Sequence, residues 1–289
     1  MQWMQSLQRA IDYIEEHLLD DVSIEEIAER ANSSPFHFQR TFSLLTDCSV
    51  GEYIRRRRLT LAAFELCQTD RKIIDLAFKY GYDTPEAFTK AFRRQHGINP
   101  RAARKNMGGL QSYQRLAIQV ILKGAEPMQY RIETKEAFQA TGIKQEFSLV
   151  NEENLTGIPR MWNEANQTGM SDRLIALNNG APKGLLGICV EKREQADRPA
   201  MDYWIAAASN HEASEGLSTL EMPAAKWAVF EVRGPMPEAM QKTWKQIYSE
   251  WFPSSGYSHA PGIPELEVYT KENPTDPDLY SEIWIAIQS

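Results

Sequence analysis

Between residues 5 and 107 the chain repeats one pattern at an interval of about fifty residues, and this repeat limits its fold more than any other feature. Ile24 corresponds to Ile73 and Ala28 to Ala77; after one extra residue in the second turn, Phe38 corresponds to Phe88, Phe42 to Phe92 and Asp47 to Gly97. Residues four apart share a side of a helix, so each unit reads as a short helix, a turn and a second helix pinned by paired phenylalanines. The local start signals agree. Ser23 stands three residues before Glu26, the spacing of a capping box, and Ser34-Pro35 opens a helix with proline where it removes no hydrogen bond. In the second unit Gly81-Tyr82-Asp83 supplies the turn, glycine taking the positive φ that ends a helix, and Asp83 or Thr84 caps the next one. Leu7, Ile11, Ile14 and Leu18 mark an opening amphipathic helix, and Gly51 to about Cys67 reads as a helix connecting the units.

A chain of 289 residues accommodates about two cores. Its net charge of −7 argues against nucleic acid when taken whole, because phosphate neutralisation supplies much of the affinity for DNA. The charge is uneven, however. Residues 1–107 hold 16 basic and 15 acidic side chains, whereas the remainder holds 16 and 24. Within the first part the cations are bunched at Arg55 to Arg58, at Arg93-Arg94 and from Arg101 to Lys105. No apolar run is long enough to span a bilayer and the first residues lack a secretory pattern, so a cytoplasmic protein without a membrane partner is expected. Cys48, Cys67 and Cys189 are odd in number and widely spaced, and His17, His37, His96, His211 and His259 form no paired ligand motif; neither a metal nor another cofactor is expected.

The pattern changes after residue 107. Gly108-Gly109 and Glu126-Pro127 bracket a linker over 108–127. From Met128, alternating stretches such as Gln129 to Glu133, Phe138 to Ile143, Leu185 to Val190 and Tyr203 to Ala206 read as strands, with a helix at Ile158 to Asn166. A second round follows: strand Trp227 to Val232, helix Pro237 to about Glu250, and strands Leu266 to Thr270 and Glu282 to Ile287. The expected fold is therefore multidomain: an all-α double helix-turn-helix domain (1–107), a linker (108–127) and an α+β domain of two pseudo-symmetric halves (128–289).

The run Ile73-x-x-x-Ala77-x-x-x-Gly81-Tyr82-x-x-x-x-x-Phe88-x-x-x-Phe92-Arg93-Arg94-x-x-Gly97-x-x-Pro100 resembles the AraC/XylS family of bacterial transcription regulators, and the likeness extends over positions 5 to 105. Asp47 departs from the glycine usual in that family, and Ala103 from its common aromatic. The resemblance implies a monomeric domain that sets two recognition helices into successive major grooves of double-stranded promoter DNA, which lie about 34 Å apart. By position the outward residues are Phe36, Gln39 and Arg40 on the first recognition helix and Pro85, Glu86 and Lys90 on the second. Their chemistry suits base edges: Gln39 for adenine, Arg40 for guanine or phosphate, Glu86 for the cytosine amino group, Phe36 for a thymine methyl. Pro85 cannot donate and Glu86 repels phosphate, so the second helix is expected to read less sequence.

The second part resembles the GyrI-like, or effector-binding, domain over about 128 to 288. The likeness rests on Met161-Trp162, Tyr203-Trp204-Ile205, Pro223 to Phe230, Trp251 to Tyr257, Pro264 to Tyr269 and Ser281 to Trp284. An AraC-type domain placed ahead of such a domain resembles the Rob-type arrangement. The resemblance implies a transcription regulator controlled by a small, often cationic and aromatic effector bound between the two halves, acting on promoter DNA or RNA polymerase. Such a site needs flat apolar walls and a negative group. Glu267 is the first choice for the charge; on an alternating strand Tyr269 shares its face while Leu266 and Val268 pack behind. Tyr203, Trp227, Trp244 and Trp284 are the expected walls, with Trp162, Trp251 and Tyr257 as further candidates. The alternatives are a hydrolase in which Glu267 acts as general base with Tyr269 assisting, or a docking module with a filled core. No GxSxG, Walker or dinucleotide loop is present, so no catalytic residues are assigned.

Overall fold

A computed structural model describes residues 2–105, 109–118, 128–149, 153–192, 200–211, 214–270 and 275–288. The chain divides into two units, 1–121 and 122–289, each with its own core. The first contains seven helices among its described residues: α1 (Gln2–Glu16), α2 (Ile24–Arg30), α3 (Pro35–Thr46), α4 (Val50–Gln68), α5 (Ile73–Lys79), α6 (Pro85–His96) and α7 (Pro100–Lys105). Ser23 and Glu26 close a reciprocal capping box at α2. Ser34 caps α3, Ser49 caps α4 and, of the two candidates, Thr84 caps α6. The repeat is exact at its ends: Asp47 and Gly97 both terminate their helices in the left-handed region, at φ 53° and 75°. Aspartate tolerates that conformation better than most side chains, so the departure from glycine costs little.

Each repeat builds its own cluster. Ile27, Ala28, Phe38 and Phe42 pack with α1 and the first half of α4, while Leu76, Ala77, Phe88 and Phe92 pack with its second half. Over 109–118, within the stretch expected as a linker, the chain lies as a strap along α1 and α4. Tyr113 N donates to Thr60 Oγ1 (3.1 Å), Leu116 N to Tyr53 Oη (3.1 Å) and Ile118 N to Gln8 Oε1 (3.0 Å). Arg57 donates to Tyr113 O and, through Nε and Nη2, to both oxygens of Glu15 (2.8 Å each). Burial alone would raise the Glu15 carboxyl, but the hydrogen bonds from Arg57 and Tyr53 outweigh it and hold Glu15 below the usual carboxylate range.

The second unit is built on a sheet of antiparallel strands: β1 (Tyr130–Lys135), β2 (Phe138–Ser148), β3 (Leu185–Lys192), β4 (Ala200–Ala208), β5 (Ser218–Met222), β6 (Ala225–Arg233), β7 (Ser258–His259), β8 (Leu266–Tyr269) and β9 (Tyr280–Gln288). The strand order is β1-β6-β9-β8-β3-β4-β2-β5, with β7 pairing β9. Exchanging β1 with β5, β2 with β6, β3 with β8 and β4 with β9 reverses this order onto itself, so the halves are related by a pseudo-two-fold axis at the β3–β8 pair. Each half lends its first strand to the other: β1 pairs β6, and β5 pairs β2. Helices α8 (Glu153–Gln167) and α9 (Met170–Leu177) belong to the first half. In the second half α10 (Glu238–Gln246) continues through a π-helical turn (Ile247–Trp251) into α11 (Phe252–Ser255).

Register assigns the two faces of the sheet. Leu266 pairs Trp284 and Ile188, and these share a face with Trp204 and Trp227 in a buried apolar layer. Glu267 pairs Gly187 and Ile283 on the other face, where the helices lie. There Gly157 of α8 sits directly against the Phe147 ring of β2.

Candidate functional site

The pseudo-axis brings β3 and β8 together at the middle of the helix-bearing face, and the polar chemistry of the second unit converges there. Glu267 is a half-buried carboxylate held at both oxygens: Trp244 Nε1 donates to Oε1 and Tyr269 Oη to Oε2, each at 2.7 Å. Tyr203 lies on the same face, since Tyr203 pairs Cys189, two residues from the Gly187 that faces Glu267. Trp162 of α8 donates to Tyr203 Oη (2.9 Å) and sets its ring edge-on to Tyr269, 5.1 Å between centroids. A carboxylate is thus ringed by indoles and phenols from both halves. The π-helical turn extends one wall: Trp244 stacks on Tyr248 (5.8 Å, 11°), which stacks on Phe252 (5.6 Å, 21°). Tyr248 Oη donates to Glu265 Oε1 (2.7 Å), so residues four apart on the helix meet two carboxylates, Glu267 on β8 and Glu265 just before it.

Four of the six residues expected at the effector site come together: Glu267, Tyr269, Tyr203 and Trp244. Trp227 and Trp284 do not. They are 6.0 Å apart on the opposite face of the sheet, because Trp284 pairs Leu266 rather than Glu267, and Trp227 pairs Ala286, two residues further along the same side. Trp284 instead serves a second carboxylate, donating through Nε1 to Glu282 Oε2 (2.7 Å), while Arg131 reaches Glu282 Oε1 (2.8 Å) and lies over the Trp284 ring. Sequence reasoning overlooked Gly187, although a glycine inside a strand signals close approach. A Cβ there would meet Tyr203 Oη at 2.5 Å.

On the first unit α3 and α6 occupy the recognition positions of the two repeats. Glu86 and Lys90 are exposed on α6 and Pro85 half-buried; Gln39 and Arg40 are half-buried on α3. Phe36 departs from the expectation of an outward residue: it is 7% exposed. It stands one turn before Arg40, whose guanidinium carbon lies 6.0 Å from the ring centroid.

A duplicated helix-turn-helix unit followed by a domain with an acid-centred aromatic site is a layout whose two parts each match a known domain family. Residues 128–288 match the GyrI-like small molecule binding domain, and residues 27–106 a helix-turn-helix domain family. The chain belongs to the GyrI-like family, with an AraC-type helix-turn-helix domain ahead of it. It is 36% identical over 138 residues to the HTH-type transcriptional regulator YbfP of Bacillus subtilis, covering 46% of this chain and 47% of YbfP, about half the length of that relative. It is 39% identical over 100 residues to the regulatory protein SoxS of Salmonella typhimurium, covering 35% of this chain and 94% of SoxS. The second unit is similar in fold to SAV2435, solved bound to tetraphenylphosphonium, with TM-score 0.50 and 23% identity over 56% of this chain and 95% of that one. Among the described residues no helix is long and apolar enough to cross a membrane.

Proposed function

We propose that the second unit binds a small organic cation with aromatic substituents against Glu267, and that occupancy alters how the first unit engages promoter DNA or RNA polymerase in the cytoplasm. The observation that carries this reading is the pairing of one half-buried carboxylate with aromatic rings from both halves: Trp244 and Tyr269 on its oxygens, Trp162 and Tyr203 beside them. Aromatic faces attract cations through their quadrupoles, and a carboxylate away from water adds a matching charge. Both Glu267 oxygens accept from indole and phenol donors that are themselves part of the aromatic walls, an arrangement suited to holding an anion at a binding site. For DNA, Gln39 and Arg40 on α3 and Pro85, Glu86 and Lys90 on α6 form the proposed reading set; Phe36 is left out of it because it is covered.

Titration of tetraphenylphosphonium, followed calorimetrically, tests the effector half of the proposal. Glu267→Gln keeps the side-chain shape and one acceptor oxygen but removes the charge, so affinity should fall by about tenfold or more, equivalent to about 1.4 kcal/mol. Equal affinity in the variant overturns the assignment of Glu267.

A further inference from the structure

The first unit contains a second feature built for charge, which shares only Lys90 with the proposed sequence-reading positions. A cleft of about 380 Å³ lies between α4, α6 and the strap, and four cations line it: Arg55 and Arg56 from α4, Lys90 and Arg94 from α6. Glu52 is the carboxylate there, and it already bonds both Arg55 and Arg56. Lys90 and Arg94 are four residues apart on an exposed side of α6, so they form a row running back from Glu86. A recognition helix seated in a major groove is flanked by sugar–phosphate backbones, and a row of cations along one flank meets one of them.

The wall opposite α6 comes from outside the helix-turn-helix repeat. Tyr113 of the strap places its ring 4.8 Å from the Arg56 guanidinium carbon, while its backbone is tied down at both ends, N to Thr60 Oγ1 and O to Arg57 Nη1. Arg57 is in turn fixed by the Glu15 ion pair, with side-chain exposures of 12% and 7%. Gln95 of α6 closes the arrangement by donating to Arg56 O and Thr60 Oγ1.

We infer that this cleft holds a DNA backbone phosphate beside the second recognition helix, with Arg56 and Arg94 as its ligands and Tyr113 of the strap as the positioning residue for Arg56. The inference rests on the reading that the first unit binds DNA. It adds a sequence-independent grip, and it makes that grip depend on the very segment that leads onward to the effector domain. A shift of the strap removes the ring from Arg56 and loosens hold on every sequence alike.

Because a phosphate contact ignores base sequence, the probe is a random-sequence duplex of about 30 base pairs, bound by the full chain between about 50 and 200 mM salt and followed by fluorescence anisotropy. Arg56→Ala and Arg94→Ala should each reduce the slope of log affinity against log salt by about one, and Tyr113→Ala should do the same. Tyr113→Phe keeps the ring and should retain the wild-type slope. A wild-type slope in Arg94→Ala, an exposed position whose loss leaves the fold intact, overturns the cleft as a phosphate site. A wild-type slope in Tyr113→Ala overturns the role of the strap. If the wild-type chain binds no duplex at the lowest salt, the DNA reading itself fails, and that result is distinct from binding with unchanged slopes.

Discussion

Gly187 shows how much of the proposed effector site depends on one missing carbon. It lies in the middle of β3, beneath the Tyr203 hydroxyl and 3.5 Å, measured from a hypothetical Cβ, from the Tyr269 ring. Tyr203 is 3% exposed and its hydroxyl receives the Trp162 indole N–H, so it cannot swing aside without breaking that bond. Gly187→Ala is therefore expected to destabilise the second unit by about 1–3 kcal/mol, the range for overpacking. It should also weaken tetraphenylphosphonium binding, although Glu267 is untouched. Urea unfolding followed by tryptophan fluorescence reads the first effect, since six of the seven tryptophans lie beyond residue 121. A variant as stable as wild type with unchanged affinity would show that Tyr203 yields freely and that the close approach has no role.

Among the elements, the helices were legible because their signals are local. A serine three residues before a glutamate, phenylalanines four apart and a proline in the first turn each specify geometry within one turn, and α2, α3 and α6 follow them. Strand pairing is not local. Alternation in Leu266 to Tyr269 correctly put Glu267 and Tyr269 on one face, but nothing within β9 says that Trp284 pairs Leu266, and a register shift of one residue would have turned it toward Glu267. The brief β5, the helix α9 and the exchange of first strands between halves also went unread, for their reasons lie in distant partners. That exchange is pinned by charge: Arg131 of β1 reaches over β6 to Glu282 of β9, which also accepts from Tyr280 and Trp284. Burial alone would push Glu282 up, but these donors, Arg131 foremost, hold it below the ordinary value of 4.5, while burial and Glu282 push Tyr280 up to about 12. A carboxyl depressed in the folded state stabilises the fold above its unfolded value, and that stability is lost as pH falls from there through the folded value. Between neutral pH and about pH 3, Glu282→Gln should therefore flatten the acid limb of second-unit stability, measured as the urea midpoint by tryptophan fluorescence. Parallel limbs in variant and wild type would remove Glu282 from the acid response.

For the molecule as a whole, two cores joined through the strap mean that stability and regulation are separable quantities. A ligand that binds only one folded unit stabilises that unit by mass action, by about 2.7 kcal/mol at a hundred times its dissociation constant. For a unit of this size such a gain corresponds to a rise of about 5–10 °C in its midpoint. Tetraphenylphosphonium should accordingly raise the thermal transition reported by tryptophan fluorescence and leave the helical transition of the first unit, seen by circular dichroism, where it was; duplex DNA should do the reverse. Regulation adds a further demand, because coupling between two sites is reciprocal: whatever factor the cation imposes on DNA affinity, DNA must impose on cation affinity. If the strap carries that coupling, Tyr113→Ala should shrink both factors equally while each ligand alone still shifts its own transition. Unequal factors at equilibrium are thermodynamically impossible for a closed cycle, so the informative failure is a pair of equal factors that Tyr113→Ala leaves unchanged. In that event the coupling runs through other residues, and the strap serves DNA affinity alone.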